Sequence, residues 1–182
     1  MNNVENLRDT IAPKSDQLNA DDLFATTKII KVTAVKRGSS ADQPVSIEYE
    51  GMTGNPFKPC KSMRRVLIAA WGENGHGWVG RSMNLFCDPE VKFGGVKIGG
   101  IRISHLSDID KDLKVLISTA RGKRSEYGIS KLNFYPEKEF YENSLAWVSA
   151  IKSGKLTVDD VISKASKTAI LTSEQITKLR ES

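Results

Sequence analysis

The stretch WVGRSMNLFCDPEVKFGGVKIGGIRISHL, from Trp78 to Leu106, decides the fold. Residues 78–87 have strand character, and Asp88-Pro89 turns the chain. Short extended pieces follow, separated by the pairs Gly94-Gly95 and Gly99-Gly100. Paired glycines permit positive φ and therefore tight hairpins or bulges, which bend a sheet sharply. Several short strands with glycine corners predict a small twisted barrel rather than a flat sheet.

The segments around this stretch predict further strands and one inserted helix. Residues 29–36 are rich in β-branched side chains and residues 45–50 alternate apolar with polar, so we expect two paired strands. Residues 114–119 and 128–134 predict two more, joined by a basic loop at 121–125. Apolar residues recur with helical period between the second strand and the central stretch, at Met63, Val66, Leu67, Ala70 and Trp71. Ser62 is a candidate N-cap of this helix, and Gly72 is a candidate C-terminus.

Beyond Pro136 the pattern becomes helical. Three helices are predicted there, and residues 157–160 and 172–175 have the spacing of capping boxes. We therefore predict a polar N-terminal arm over residues 1–26, a β-rich domain over 27–136 and a helical module over 137–182. The predicted fold class is α+β: a small barrel resembling the oligonucleotide-binding fold with one inserted helix, followed by three helices. The helix follows the second strand, whereas the oligonucleotide-binding fold has it after the third.

Positive charge is concentrated in the middle of the chain. Lys58–Lys131 holds fourteen Lys and Arg against seven Asp and Glu, a local charge of +7, while the remainder sums to −2. A basic region interleaved with aromatic rings offers cations to phosphates and flat surfaces to bases. The candidate nucleic-acid-binding residues are Lys58, Lys61, Arg64, Arg65, Trp78, Arg81, Lys92, Phe93, Lys97, Arg102, Arg121, Lys123, Arg124 and Tyr127. Among the rings, Trp78, Phe93 and Tyr127 lie next to glycine or charge and are the predicted stacking residues.

Motifs for catalysis or cofactor binding are absent from the sequence. The soft metal ligands Cys60, His76, Cys87 and His105 are separated by 16, 11 and 18 residues, too far apart for the paired spacing of a zinc site. The glycine-rich segments lack the Gly-Lys-Ser/Thr ending of a phosphate loop. We therefore expect no enzyme activity, no cofactor and no metal site. The alternating carboxylates Asp108, Asp110 and Asp112 leave a magnesium-dependent nuclease as a weaker alternative.

The expected compartment is the cytoplasm. The longest apolar run, Val66 to Trp71, has six residues, whereas spanning a bilayer takes about 20. The N-terminus lacks the basic and apolar regions of a secretory signal, and the two cysteines are expected to stay reduced. We predict no membrane association.

Three segments carry a resemblance to a protein family. The runs KPCKSMRRVL (58–67), WVGRSM (78–83) and GGIRISHL (99–106) resemble those of small proteins encoded by tailed bacteriophages and prophages. The resemblance implies a bacterial host cytoplasm and a role in phage DNA replication, recombination or defence evasion. It transfers no catalytic residue.

The leading hypothesis is a non-enzymatic protein that binds single-stranded nucleic acid, DNA or RNA, through the mid-chain cations. Its helical module would recruit a host or phage protein or support self-association. A hypothesis of another class is an inhibitor or adaptor that binds a host protein through the same basic surface. Salt-dependent binding to oligonucleotides separates the two, because neutralising phosphates releases condensed counterions.

Overall fold

A computed structural model describes residues 16–24, 26–120, 122–165 and 169–181, with the backbone alone at 93, 119, 120 and 173. The chain forms two compact units, one through Lys131 and the other from Leu132 onward. Most of the predicted N-terminal arm, residues 1–15, lies outside the described residues. The part that is described, residues 16–24, contributes Leu18 and Leu23 to the core of the first unit.

The first unit is a mixed, open, six-stranded sheet with one helix. The strands are β1 (Thr27–Arg37), β2 (Val45–Tyr49), β3 (Ser82–Asp88), β4 (Lys92–Phe93), β5 (Val96–Lys97), β6 (Gly100–Leu106), β7 (Leu113–Ala120) and β8 (Lys123–Lys131). β1 and β2 are the predicted strand pair, β3 and β6 come from the central stretch, and the short strands β4 and β5 form a separate hairpin. The sheet order is β2-β1-β3-β6-β8-β7, and β6 and β8 run parallel while the other neighbours are antiparallel.

The predicted barrel is wrong, because the two edge strands do not meet. Beyond β2, Phe57 exchanges two backbone hydrogen bonds with Ile47, at 2.8 and 2.9 Å, and so occupies that edge. At the other edge, helix α1 (Lys61–Trp71) lies beside β7, and Ser62 and Arg65 contact Ser118. Each edge is thus covered by the chain itself, which is one of the ways in which proteins protect unpaired strands. The α+β class and the inserted helix are confirmed.

The first glycine pair forms a hairpin turn, as predicted. Gly94 and Gly95 form the two-residue turn between β4 and β5, with φ of 57° and 87°. Only residues without a Cβ adopt two successive positive φ values at little cost, and such turns match the twist of antiparallel strands.

The apolar stripe of α1 faces the sheet, as its period indicates. Met63, Val66, Leu67 and Trp71 are buried against the strand residues of the core. The residue at the N-cap is Cys60 rather than the predicted Ser62, and its side chain forms no capping hydrogen bond. Ser62 instead directs its hydroxyl to β7. Gly72 ends the helix with φ of 85°, as predicted.

The second unit contains the three predicted helices, α2 (Glu137–Lys152), α3 (Val158–Ala165) and α4 (Ser173–Arg180). They enclose a small core centred on Phe140, against whose ring Trp147 packs edge-on at 6.0 Å. Both predicted capping boxes are confirmed by hydrogen bonds at the first turns of α3 and α4. Within the described residues, no helix has the length and apolar character needed to cross a bilayer.

Candidate nucleic-acid interface

Ion pairing divides the predicted cationic residues into two groups. Several already contact carboxylates: Lys58 lies 2.7 Å from Asp16, and Lys97 lies 2.7 Å from Glu90. Nε of Arg102 is buried and forms an ion pair with the Asp88 carboxylate at 3.6 Å, and it has no hydrogen-bond partner among the described residues. These side chains are partly neutralised or enclosed within the protein, so they offer less charge to a ligand.

Four other cations lie on the two elements that meet at Ser118, helix α1 and the β7–β8 hairpin. Nη1 of Arg65 donates to the hydroxyl of Ser118 at 3.2 Å, across the edge of β7. Arg124 is the cross-strand partner of Ser118, and Lys123 is the partner of Ala120. Lys61 precedes Arg65 by four residues in α1, so the two share one helix face. We call Lys61, Arg65, Ser118, Lys123 and Arg124 the Ser118 patch.

The Ser118 patch is uncompensated by acid. Within the part of the chain that the structure describes, none of its four cations forms an ion pair with a carboxylate. Lys61, Lys123 and Arg124 are exposed, and Arg65 is half-buried. The nearest acid along β8, Glu126, lies 3.2 Å from Lys114 and neutralises that residue instead. Four positive charges therefore remain available at one corner of the sheet.

The β7–β8 hairpin fixes the position of two of these charges. The sequence predicts a basic loop over 121–125, but β8 begins at Lys123, so Lys123 and Arg124 lie in a strand. Gly122, with φ of 73°, provides the turn, and an irregularity in the register falls between Ser118 and Ala120. A strand restrains its backbone far more than a loop does, so less ordering would be needed on binding. Arg121 lies outside the described residues.

The remaining predicted cations either lie outside the Ser118 patch or contact other groups of the protein. Arg64 donates to the carbonyl oxygens of Pro59 and Asp42, at 3.4 and 3.5 Å. The guanidinium of Arg81 lies 5.8 Å from the ring centre of Trp71, in a cation–π contact. Lys92 is exposed at the β4–β5 hairpin, outside the Ser118 patch. The structure therefore brings together only part of the predicted set.

Of the predicted stacking rings, Trp78 is buried. Trp78 lies in a short 3-10 turn (Gly75–Trp78) rather than in a strand, is 4% exposed, and donates its indole N–H to the Gly72 carbonyl at 2.9 Å. Its ring also packs against Trp71, so no face is free for a base. The side chain of Phe93 lies outside the description.

Tyr127 is half-buried in β8, and its hydroxyl donates to the Ile103 carbonyl at 2.8 Å. Burial raises the pKa of Tyr127 to about 12, and the nearby Asp88 and Cys60 add to the rise while Arg102 opposes it. The phenol is therefore neutral at physiological pH and engaged with the protein. It links β8 to β6 and is not free to stack on a ligand.

The acidic segment that suggested a nuclease does not form a metal site. Asp108 accepts a hydrogen bond from the Ser107 hydroxyl, and Asp112 accepts one from the backbone N–H of Lys131 at 2.8 Å. Asp110 is exposed. Across the described residues, no three His, Cys, Asp or Glu side chains gather in a way that could hold a metal ion. Cys60 and Cys87 are free thiols.

Two contributors to this region were missed in the sequence. Ser118 joins α1 to β7, yet a lone serine at the end of a strand carries no distinctive signal. Asp16 lies 42 residues from Lys58 along the chain, and pairing over such a separation is visible only in the folded structure.

Comparisons of the chain with protein-family models, curated proteins and solved structures gave no match. The function is therefore inferred from the residues and their geometry.

Proposed function

We propose that this protein is a non-enzymatic nucleic-acid-binding protein that holds the phosphate backbone of a single strand at the Ser118 patch. The observation that carries the proposal is that Lys61, Arg65, Lys123 and Arg124 lie on the two elements that meet at Ser118 and form no ion pair with a described carboxylate. Cations of this kind bind phosphates and release the counterions that surround nucleic acid.

The exposed surface of α1 favours a single strand over a duplex. Reading base edges in the major groove requires polar side chains along the outer face of a helix. Ile68 and Ala69 occupy that face after Arg65, and neither offers a hydrogen bond to a base. Binding through the backbone alone would be largely independent of sequence. A role of this binding in a bacteriophage is proposed from the resemblance of segments 58–67, 78–83 and 99–106 to small proteins of tailed phages.

A salt series tests the proposal. The ligand is a fluorescently labelled oligonucleotide of mixed sequence, single- or double-stranded, and the readout is anisotropy. Four phosphate contacts predict a plot of log K against log salt with a slope of about −3 for the single strand. Tryptophan fluorescence is a poor readout, because Trp71 and Trp78 are buried. Affinity that does not change between low and moderate salt would contradict the proposal.

A second candidate function is binding of an acidic host protein, and Leu116 favours it. This side chain is 59% exposed and lies two residues before Ser118 in β7, on the same face of the strand. An exposed apolar side chain beside unpaired cations suits a protein surface as well as a nucleic acid. Retention of one stoichiometric host protein after nuclease treatment, without binding to oligonucleotides, would support this second function.

A further inference from the structure

A second basic site lies at the far end of β1 and β2. A pocket of about 470 Å³ is lined there by Lys36, Arg37 and Lys58, together with Ser39 and Ser46. Two carboxylates, from Asp16 and Glu48, also border it. Lys36 pairs with Glu48 at 2.6 Å, whereas Arg37 has no carboxylate partner among the described residues. Three cations against two acids leave the pocket with an excess of positive charge.

Lys58 is the unusual member of this pocket. Its side chain is 7% exposed, and its ammonium group contacts the Asp16 carboxylate at 2.7 Å. The neighbours of Lys58 in the chain, Phe57 and Pro59, are buried, which draws the lysine stem inward. A buried ammonium group requires a counterion, because removing an unpaired charge from water costs several kcal/mol. The hydrogen bond from Lys58 also lowers the pKa of Asp16 below its ordinary value.

The counterion comes from an exposed side chain. Asp16 is 81% exposed, and among the described residues its carboxylate forms an ion pair with Lys58 alone. The segment that carries Asp16 is attached to the sheet by separate contacts: the N–H of Leu18 donates to the Pro56 carbonyl at 3.0 Å, and Gln43 donates to Gln17 at 2.6 Å. The carboxylate could therefore move into solvent without detaching the segment. Another anion could then contact Lys58.

We propose that this pocket is a phosphate-binding site and that the carboxylate of Asp16 occupies the place of the phosphate in the free protein. A phosphate group offers more acceptor oxygens than a carboxylate, and Arg37, Ser39 and Ser46, which line the same pocket, carry further hydrogen-bond donors. Asp16 then limits the affinity of the pocket by competing for Lys58. The phosphate belongs either to a small phosphate ester or to the backbone of a nucleic acid, and the site does not depend on the Ser118 patch.

Titration of inorganic phosphate at constant ionic strength tests the site. Replacing Asp16 by Asn removes the competing carboxylate and is expected to tighten phosphate binding about two- to fivefold, the range that an exposed ion pair supports. Glu50→Gln is the matched control, because Glu50 pairs with Lys31 at 3.0 Å outside the pocket and the substitution removes the same charge. Chemical shifts of the backbone amides of residues 36–39 report occupancy.

Two further variants check the cations. Lys58→Met is expected to abolish phosphate binding, and Arg37→Gln, at an exposed position that does not endanger folding, is expected to weaken it. Equal affinities of the Asp16→Asn variant, the Glu50→Gln variant and the unmodified protein would overturn the proposal.

The source of the phosphate is found by repeating the comparison with a labelled oligonucleotide. A parallel gain in oligonucleotide affinity in the Asp16→Asn variant would identify the nucleic-acid backbone as the source. A gain confined to inorganic phosphate would identify a small phosphate ester. Loss of oligonucleotide binding on substitution of the Ser118 patch, with phosphate binding retained, would separate the two sites.

Discussion

The guanidinium of Arg65 and the hydroxyl of Ser118 meet at 3.2 Å, and this contact joins α1 to the edge strand β7. Ser62, one turn earlier in α1, forms a long hydrogen bond of 3.5 Å to the backbone carbonyl of the same serine. One residue thus receives two side chains from the helix, and its cross-strand partner is Arg124. The same contacts that cover the edge of the sheet also place Arg65 beside the hairpin cations. Protection of the edge and assembly of the charged patch therefore have a common structural origin.

Trp78 is expected to matter for stability and not for binding. Replacement by Phe removes the indole N–H that donates to the Gly72 carbonyl and puts a smaller ring in a buried position, so the free energy of unfolding should fall by about 1–3 kcal/mol. Chemical denaturation measures the loss, and anisotropy under native conditions should show unchanged oligonucleotide affinity. Weaker binding with unaltered stability would instead indicate that the ring stacks on the ligand.

The hydroxyl of Tyr127 should make the stability of the folded protein decline at alkaline pH. Its pKa is raised from 10.0 to about 12, so the unfolded chain ionises first as the pH increases. The neutral phenol therefore stabilises the folded state fully below about pH 10, and this contribution is lost as the pH rises through about 12.

The Tyr127→Phe variant tests this limit. It should be about 1 kcal/mol less stable at neutral pH, because the hydrogen bond to Ile103 is gone. It should also lack the Tyr127 part of the alkaline decline. Denaturation midpoints measured between pH 8 and 12 for both proteins check this, and identical pH profiles would refute the assignment.

The capping box of α4 should contribute measurably to the second unit. The Thr172 hydroxyl accepts from the Gln175 N–H at 3.2 Å, and the Gln175 side chain accepts from the Thr172 N–H at 3.0 Å. Thr172→Ala should lower the stability of this unit by about 1 kcal/mol, whereas Thr172→Ser should retain most of it. Thermal unfolding followed through the Trp147 fluorescence measures both. Equal effects of Ala and Ser would show that the hydroxyl is not responsible.

Local sequence patterns predicted the elements better than their arrangement. The apolar period of α1 gave its buried face, and the glycine pair at 94–95 gave a hairpin, because each depends on neighbours in the chain. The prediction of a closed barrel was wrong, because closure depends on whether the edge strands β2 and β7 meet. Phe57 contacts the edge strand β2 and α1 contacts the edge strand β7, and no local sequence pattern predicts either contact.

The candidate site was predicted in composition but not in geometry. Charge counting located the basic region, yet it could not tell that Lys97 faces Glu90 while Arg124 faces Ser118. The flanking residues suggested that Trp78 was accessible, whereas packing against Trp71 buries it. Pairing and burial are long-range properties, and in this protein they separate the available cations from the neutralised ones.

The most direct test of the account is a comparison of two charge variants in oligonucleotide binding at low salt. The first replaces Lys61, Arg65, Lys123 and Arg124 by Gln. The control removes the same total charge at cations that pair with a glutamate and lie outside both proposed sites: Lys31, Lys97, Lys114 and Lys138.

At about 0.5 kcal/mol for each lost phosphate contact, the first variant should bind about thirtyfold more weakly and lose most of its salt dependence. The control should change affinity by less than about threefold. Equal losses in the two variants would show that the total charge attracts the ligand, and they would contradict a binding site at Ser118.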